Sequence, residues 1–185
     1  MSNAVSTLNG ASFDGYVRVE EQGLVGMITL RGDLASKALA KAVKSATGSA
    51  MPGQGEIASG DKGRVGWMSP DELLLIVDHS AANDMVAALT KALAGEHALA
   101  VNVSDARTVF RITGAAAREV VAKVSPADVN ALSSGQLRRT RIAQIPAAFH
   151  LIDEETAELV CFRSVGKYAF DLLKDAALPG GEVYL

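Results

Sequence analysis

Apolar residues in this chain come either as short unbroken runs or as stripes at helical spacing, and the two kinds of segment alternate. The plainest case spans residues 66–94. Leu73 to Val77 is an apolar run suited to a buried strand. Ser69-Pro70-Asp71 before it supplies a turn, because proline presets φ and aspartate can bond its own backbone. Arg64 to Ser69 is then the partner strand. Beyond the run, Ala82, Met85, Val86, Leu89 and Leu93 recur on one side of a helix for which Ser80 is the expected cap.

Upstream, Leu24 to Arg31 reads as a strand and Gly32-Asp33 as a turn, with Asp33 as the expected N-cap of a helix running to Ala46. Ala38, Leu39, Ala42 and Val43 share its apolar face, and Lys37, Lys41 and Lys44 fall on the solvated one. Residues 47–63 hold Gly48, Gly53, Gly55, Gly60, Gly63 and Pro52, which predicts a long irregular loop and the best candidate for disorder. Downstream, Ala98 to Val103 and Thr108 to Thr113 read as strands. Gly114 turns the chain into a helix striped by Ala117, Val120, Val121 and Val124, which Ser125-Pro126 stops. Leu137 to Ile145, Ala147 to Ile152 and Glu158 to Arg163 read as extended, with an acidic turn at Asp153-Glu154-Glu155-Thr156. A last helix follows Ser164, with Val165, Ala169, Leu172, Leu173 and Ala176 in its stripe.

The two halves repeat one plan. At an offset of 82, Gly32 meets Gly114 and Ala40-Lys41 meets Ala122-Lys123; at an offset of 84, Ser80 meets Ser164, Leu89 meets Leu173 and Ala92 meets Ala176. The two-residue difference is one strand period and leaves the packing faces unchanged. Each half reads strand, helix, strand, strand, helix. The predicted fold class is therefore α+β: two ferredoxin-like split strand-helix-strand units in a pseudo-twofold arrangement. The expected divisions are a flexible N-terminal arm over 1–22, where no period is sustained, a first half over 23–104, a second over 105–178 and a tail over 179–185.

With 185 residues, 49% of them apolar, the chain can bury a substantial core. A net charge of −3 with mixed signs provides no basic field for nucleic acid. Apolar runs fall short of the roughly 18 residues of a membrane span. The N-terminus lacks a charged-then-apolar signal pattern, and the single Cys161 has no disulfide partner in the chain, so a cytoplasmic protein is expected.

No catalytic constellation stands out. His79, His97 and His150 lack metal-ligand spacing, and Cys161 sits in a strand as an inert buried thiol. Gly53-Gln54-Gly55 lacks the remainder of a phosphate-binding fingerprint. Asp153, Glu154 and Glu155 read as a solvated turn rather than an acid-base pair. Trp67 reads as a core or interface anchor. Alternation places Arg139 and Arg141 on one strand face, either as solvated charge or as a contact for an anion or a partner.

Three stretches in order, Gly66-Trp67-Met68-Ser69-Pro70-Asp71-Glu72-Leu73-Leu74, Asp105 to Gly114 and Arg139 to Ile145, resemble the gamma subunit of heterotetrameric sarcosine oxidase. The likeness runs from about Leu24 to Ala177. That family is similar in fold to the folate-binding aminomethyltransferases of the glycine cleavage system. The resemblance implies a non-catalytic accessory subunit of a complex that oxidatively demethylates sarcosine to glycine with folate-linked one-carbon transfer. It implies alpha, beta and delta subunits as partners, with FAD, FMN, NAD and tetrahydrofolate held in those subunits and no cofactor in this chain. It points to the arm, the glycine loop and the apolar tail as contacts. The alternative is a free-standing folate-binding or one-carbon-transfer protein.

Overall fold

Two glycine-turned strand-helix units and two hairpin-helix units account for most of the chain, and the computed structural model describes residues 4–183. Val25–Asp105 forms one compact unit, and the chain before and after it forms the other.

In the Val25–Asp105 unit, β3 (Gly26–Arg31) leads to α1 (Lys37–Thr47), then to β4 (Ile57–Ser59), β5 (Gly63–Ser69), β6 (Glu72–Val77), α2 (Ala82–Ala92) and β7 (Leu99–Asn102). Strands β1 (Ser12–Asp14) and β2 (Arg18–Glu21) precede them. The sheet order is β4-β5-β6-β3-β7, all antiparallel. Every residue of β6 is buried, as its unbroken apolar run requires. Leu39 and Val43 from α1 and Ala82 and Leu89 from α2 pack on Ile28, Leu30, Leu73 and Leu75. Lys37, Lys41 and Lys44 are exposed, as the helical period predicts.

The second unit contains β8 (Arg107–Thr113), α3 (Ala117–Val124), β9 (Leu137–Ile142), β10 (Ile145–Asp153), β11 (Thr156–Phe162) and α4 (Gly166–Ala176). Its sheet order is β1-β2-β8-β11-β10-β9. Phe110, Ile112, Phe149 and Leu159 pack under Val120, Val121, Ala169 and Leu173. The repeat extends to irregularities: β5 slips register between Trp67 and Ser69, and β10 slips at the matching place, between Leu151 and Asp153. Ala143, at φ 44°, turns β9 directly into β10, so the two extended segments pair as a hairpin.

Three expectations need correction. Residues 4–22 are not a loose arm. In the Val25–Asp105 unit, β3 takes β7 as its outer neighbour, whereas the matching β8 has no strand from its own half to take; β2 fills that place, with Val19 opposite Ile112 and fully buried. Residues 47–63 are not an unstructured loop either. They contain β4, and Gly60 lies so close to the Thr47 carbonyl that a Cβ there would sit 2.2 Å from its oxygen. Those glycines serve close backbone packing. Finally, Ser36 rather than Asp33 caps α1, accepting from the Leu39 amide, and Asp78 rather than Ser80 caps the short 3-10 turn that opens into α2. Both capping residues, Ser36 and Asp78, have extended backbone, as an N-cap requires, while Asp33 accepts from the Ala35 amide ahead of the helix. Of the expected apolar tail, Val183 is described, while Tyr184 and Leu185, like residues 1–3, lie outside the described residues.

Candidate functional site

Alternation on β9, β10, β11 and β8 gathers the polar side chains of the second unit on one sheet face. Across adjacent strands, Arg111 stands opposite Glu158, and Glu158 opposite His150. Arg111 Nη2 donates to Glu158 Oε1 at 2.6 Å, and His150 Nε2 lies 3.2 Å from Oε2. Glu158 and His150 are 2% and 3% exposed, so the carboxylate is held by fixed partners in place of water. Arg139 and Arg141 share this face, at the exposed outer strand, opposite Ala148 and Pro146. The structure thus keeps the two arginines together on one strand face.

Two more carboxylates tie down chain segments. Glu21 accepts from Ser6 Oγ at 2.9 Å, the Leu8 amide at 3.1 Å and the Gly10 amide at 2.8 Å, fastening residues 6–10 to β2. Glu119 on α3 accepts from the Val183 amide at 2.8 Å and from Tyr16 Oη at 3.0 Å, and pairs with Lys123 at 3.2 Å. Lys123 in turn donates to Tyr16 and to the carbonyls of Ala176 and Gly181. The Val183 amide, aided by Tyr16 and Lys123 against the opposing effect of burial, holds the Glu119 carboxyl at about 2.

The remaining candidates read as structural. Asp153 caps its own hairpin turn by accepting from the Glu155 amide, and Glu154 binds Arg118 at 2.7 Å. Cys161 is buried, and burial pushes its thiol up to about 12, away from reactivity. Trp67 is half-buried. His97 and His79 stand apart from any ligand set, and among the described residues no group of three His, Cys, Asp or Glu side chains is arranged to hold a metal.

A concave surface lies in the Val25–Asp105 unit. An open groove of about 640 Å³ is lined by Arg31, Gly32, Asp33, Pro70, Asp71, His97, Ala98 and Leu99. Arg31 is anchored at its edge, 2.9 Å from buried Glu72 and 3.4 Å from Asp71. Sequence reasoning missed this groove, Glu21, Glu119 and the Arg111-Glu158-His150 row. For the row, the available signal is a lone acid inside the apolar run of β11 and a lone arginine inside that of β8.

Two α+β units with a repeated hairpin and helix define the class by fold alone, which is that of a solved aminomethyltransferase. The fold matches glycine cleavage system aminomethyltransferase T from Bartonella henselae with TM-score 0.63 at 14% identity, over 83% of this chain and 44% of that one. More particularly, residues 31–179 match the sarcosine oxidase, gamma subunit family, and the chain belongs to that family. Sarcosine oxidase subunit gamma from an Arthrobacter species is 32% identical over 136 residues, covering 71% of this chain and 64% of that one, so the match spans less than two thirds of that relative's length. The same subunit from Corynebacterium sp. (strain P-1) is 29% identical over 88% of this chain and 80% of that one. A chain of the heterotetrameric sarcosine oxidase from Corynebacterium sp. U-96, solved with pyrrole 2-carboxylate, superposes with TM-score 0.80 and 27% identity over 90% of this chain and 87% of that one. No described helix is long and apolar enough to cross a membrane.

Proposed function

We propose that this chain is the accessory gamma subunit of a heterotetrameric sarcosine oxidase, working in the cytoplasm beside alpha, beta and delta subunits. The observation that carries the reading is the likeness, over nine-tenths of the chain, to a chain of that complex. The chemistry of sarcosine demethylation and the FAD, FMN, NAD and tetrahydrofolate that serve it belong to the other subunits. This chain contributes surface and no reacting group, a reading supported by its buried carboxylates: Glu21, Glu119 and Glu158 hold chain segments or strands together. Arg139 and Arg141, exposed on one strand face, serve as a contact for a carboxylate-bearing partner surface. Co-expression with the cognate alpha, beta and delta subunits tests the reading. The expected result is a stoichiometric complex carrying flavin, weakened when Arg139 and Arg141 are both changed to Ala. A chain that never co-purifies with those subunits overturns it, and micromolar tetrahydrofolate binding by the isolated chain, lost in the same double variant, favours a free-standing folate protein.

A further inference from the structure

Strand β7 ends its sheet. It pairs with β3 on one side and with no described strand on the other. The Val103 amide donates to the Met27 carbonyl at 2.8 Å, which sets the alternation of the ladder: Leu99 and Val101 turn their backbone groups to β3, while Ala100 and Asn102 turn theirs outward. An edge of this kind is a template for another strand unless charge, proline or a bulge blocks it. Here nothing of that sort intervenes. Leu99-Ala100-Val101-Asn102 carries no charge, and Leu99 and Val101 are 58% and 40% exposed.

Both sides of this edge are hollow. On the helix side a cavity of about 180 Å³ lies between Leu89, Leu93 and Ala94 of the α2 end and Ala98 to Ala100. On the opposite side the groove of about 640 Å³ runs from Ala98 and Leu99 to Pro70 and Arg31. A strand added to β7 sends alternate side chains to opposite faces, those level with Leu99 and Ala100 toward the two hollows, while its main chain bonds Ala100 and Asn102.

We infer that β7 is the acceptor edge for an extended segment of another subunit, apolar at alternate positions and carrying a basic residue at the end that meets Asp33 and Glu96. The inference rests on the assembly reading above. Asp33 and Glu96 are exposed carboxylates at the start of β7 that accept from the uncharged Ala35 amide and Ser36 hydroxyl, whereas Arg31, which lines the same groove, is held by Asp71 and Glu72. Charge disfavours a second copy of this chain. Two β7 strands related by a twofold axis run antiparallel, bringing Asp105 of one copy toward Glu96 and Asp33 of the other.

Amide hydrogen exchange on the isolated chain and on its co-expressed complex with the alpha, beta and delta subunits tests this. Ala100 and Asn102 exchange freely in the isolated chain and at least about tenfold more slowly in the complex. Ala100→Pro removes an outward donor without touching the bonds to β3, and Val101→Lys places a charge on the exposed face. Each lowers recovery of the chain with its partners at least about tenfold while its far-UV spectrum and melting temperature stay near those of the parent. A complex that forms with unchanged exchange at Ala100 and Asn102 overturns the inference and leaves the assembly reading standing. Absence of any complex overturns both. Protection of the same amides in a concentrated isolated chain that sediments as a dimer overturns it in favour of a second copy.

Discussion

Glu158 joins two residues from neighbouring strands: one carboxylate oxygen takes a 2.6 Å hydrogen bond from Arg111 on β8, and the other faces His150 on β10 at 3.2 Å. Cutting Glu158 back to alanine removes the carboxylate that both side chains face. Breaking a buried ion pair costs about 3–5 kcal/mol. Arg111 is 40% exposed and recovers some water, which lowers the expected loss to about 2–3 kcal/mol. Glu158→Gln keeps an acceptor and costs less. Urea unfolding of the two variants measures the difference, and equal stability of Glu158→Ala and the parent would remove the row from the list of structural anchors.

Glu119 makes the fold acid-sensitive in a defined window. Its carboxyl is held at about 2 against an ordinary 4.5, a depression led by the Val183 amide. A group whose pKa falls on folding contributes its full stability above the ordinary value and loses it as pH drops toward the folded one. Stability therefore declines between pH 4.5 and 2 partly through this residue. In Glu119→Gln that part of the decline disappears, while the curves at neutral pH lie parallel. Denaturant midpoints collected across this range for both proteins provide the check.

Cys161, with its thiol pushed up to about 12 by burial, stays protonated at pH 8 and shielded by the sheet. A disulfide-exchange reagent is expected to label it only at the rate of unfolding, and to label it at once in guanidinium. Fast labelling of the native chain would show an opening at β11 that the packing does not predict.

The helices and the hairpin strands were legible because each carries its own period. The stripe Ala82, Leu89, Leu93 and the run Leu73 to Val77 need no distant partner to be recognised. What escaped is non-local. Arg18-Val19-Glu20-Glu21 has a single apolar residue, and its role follows only from the place beside β8 that the second half does not fill with a strand of its own. The glycines of 47–63 look alike in a sequence whether they loosen a loop or let two backbones touch. Arg111 and Glu158 become a pair only once the register of β8 and β11 is known. For Arg139 and Arg141 the strand period alone placed both on one face.

Gly60 and Gly95 separate those two uses of glycine. A Cβ at Gly60 would meet the Thr47 oxygen at 2.2 Å and the Ser49 nitrogen at 2.3 Å, both backbone atoms, whereas one at Gly95 has open space. Gly60→Ala forces the backbone apart at the end of α1, where the Lys62 amide also donates to the Thr47 carbonyl, and is expected to cost about 1–3 kcal/mol or more. Gly95→Ala should stay within about 0.5 kcal/mol of the parent. Thermal melts of the pair read this directly.

Deleting residues 1–22 asks whether the N-terminal segment belongs to the second unit. Val17 and Val19 are 3% and 0% exposed, and burying such side chains contributes about 1.5–3 kcal/mol each. Their loss alone removes about 3–6 kcal/mol, which for a chain of this size lowers the melting temperature by about 6–24 °C. The deletion also strips β2 from β8, leaving Arg18 to Glu21's partners, Phe110 to Thr113, as an open edge. Such an edge recruits other chains. The shortened protein should therefore melt early and aggregate, and light scattering should rise with concentration. Supplying a peptide of residues 4–22 should reverse both effects, because β8 then regains its neighbour and Thr108 the Glu21 carboxylate to which its hydroxyl donates. A truncated chain that stays monomeric and melts with the parent would mean that β2 contributes no stability to the sheet it borders.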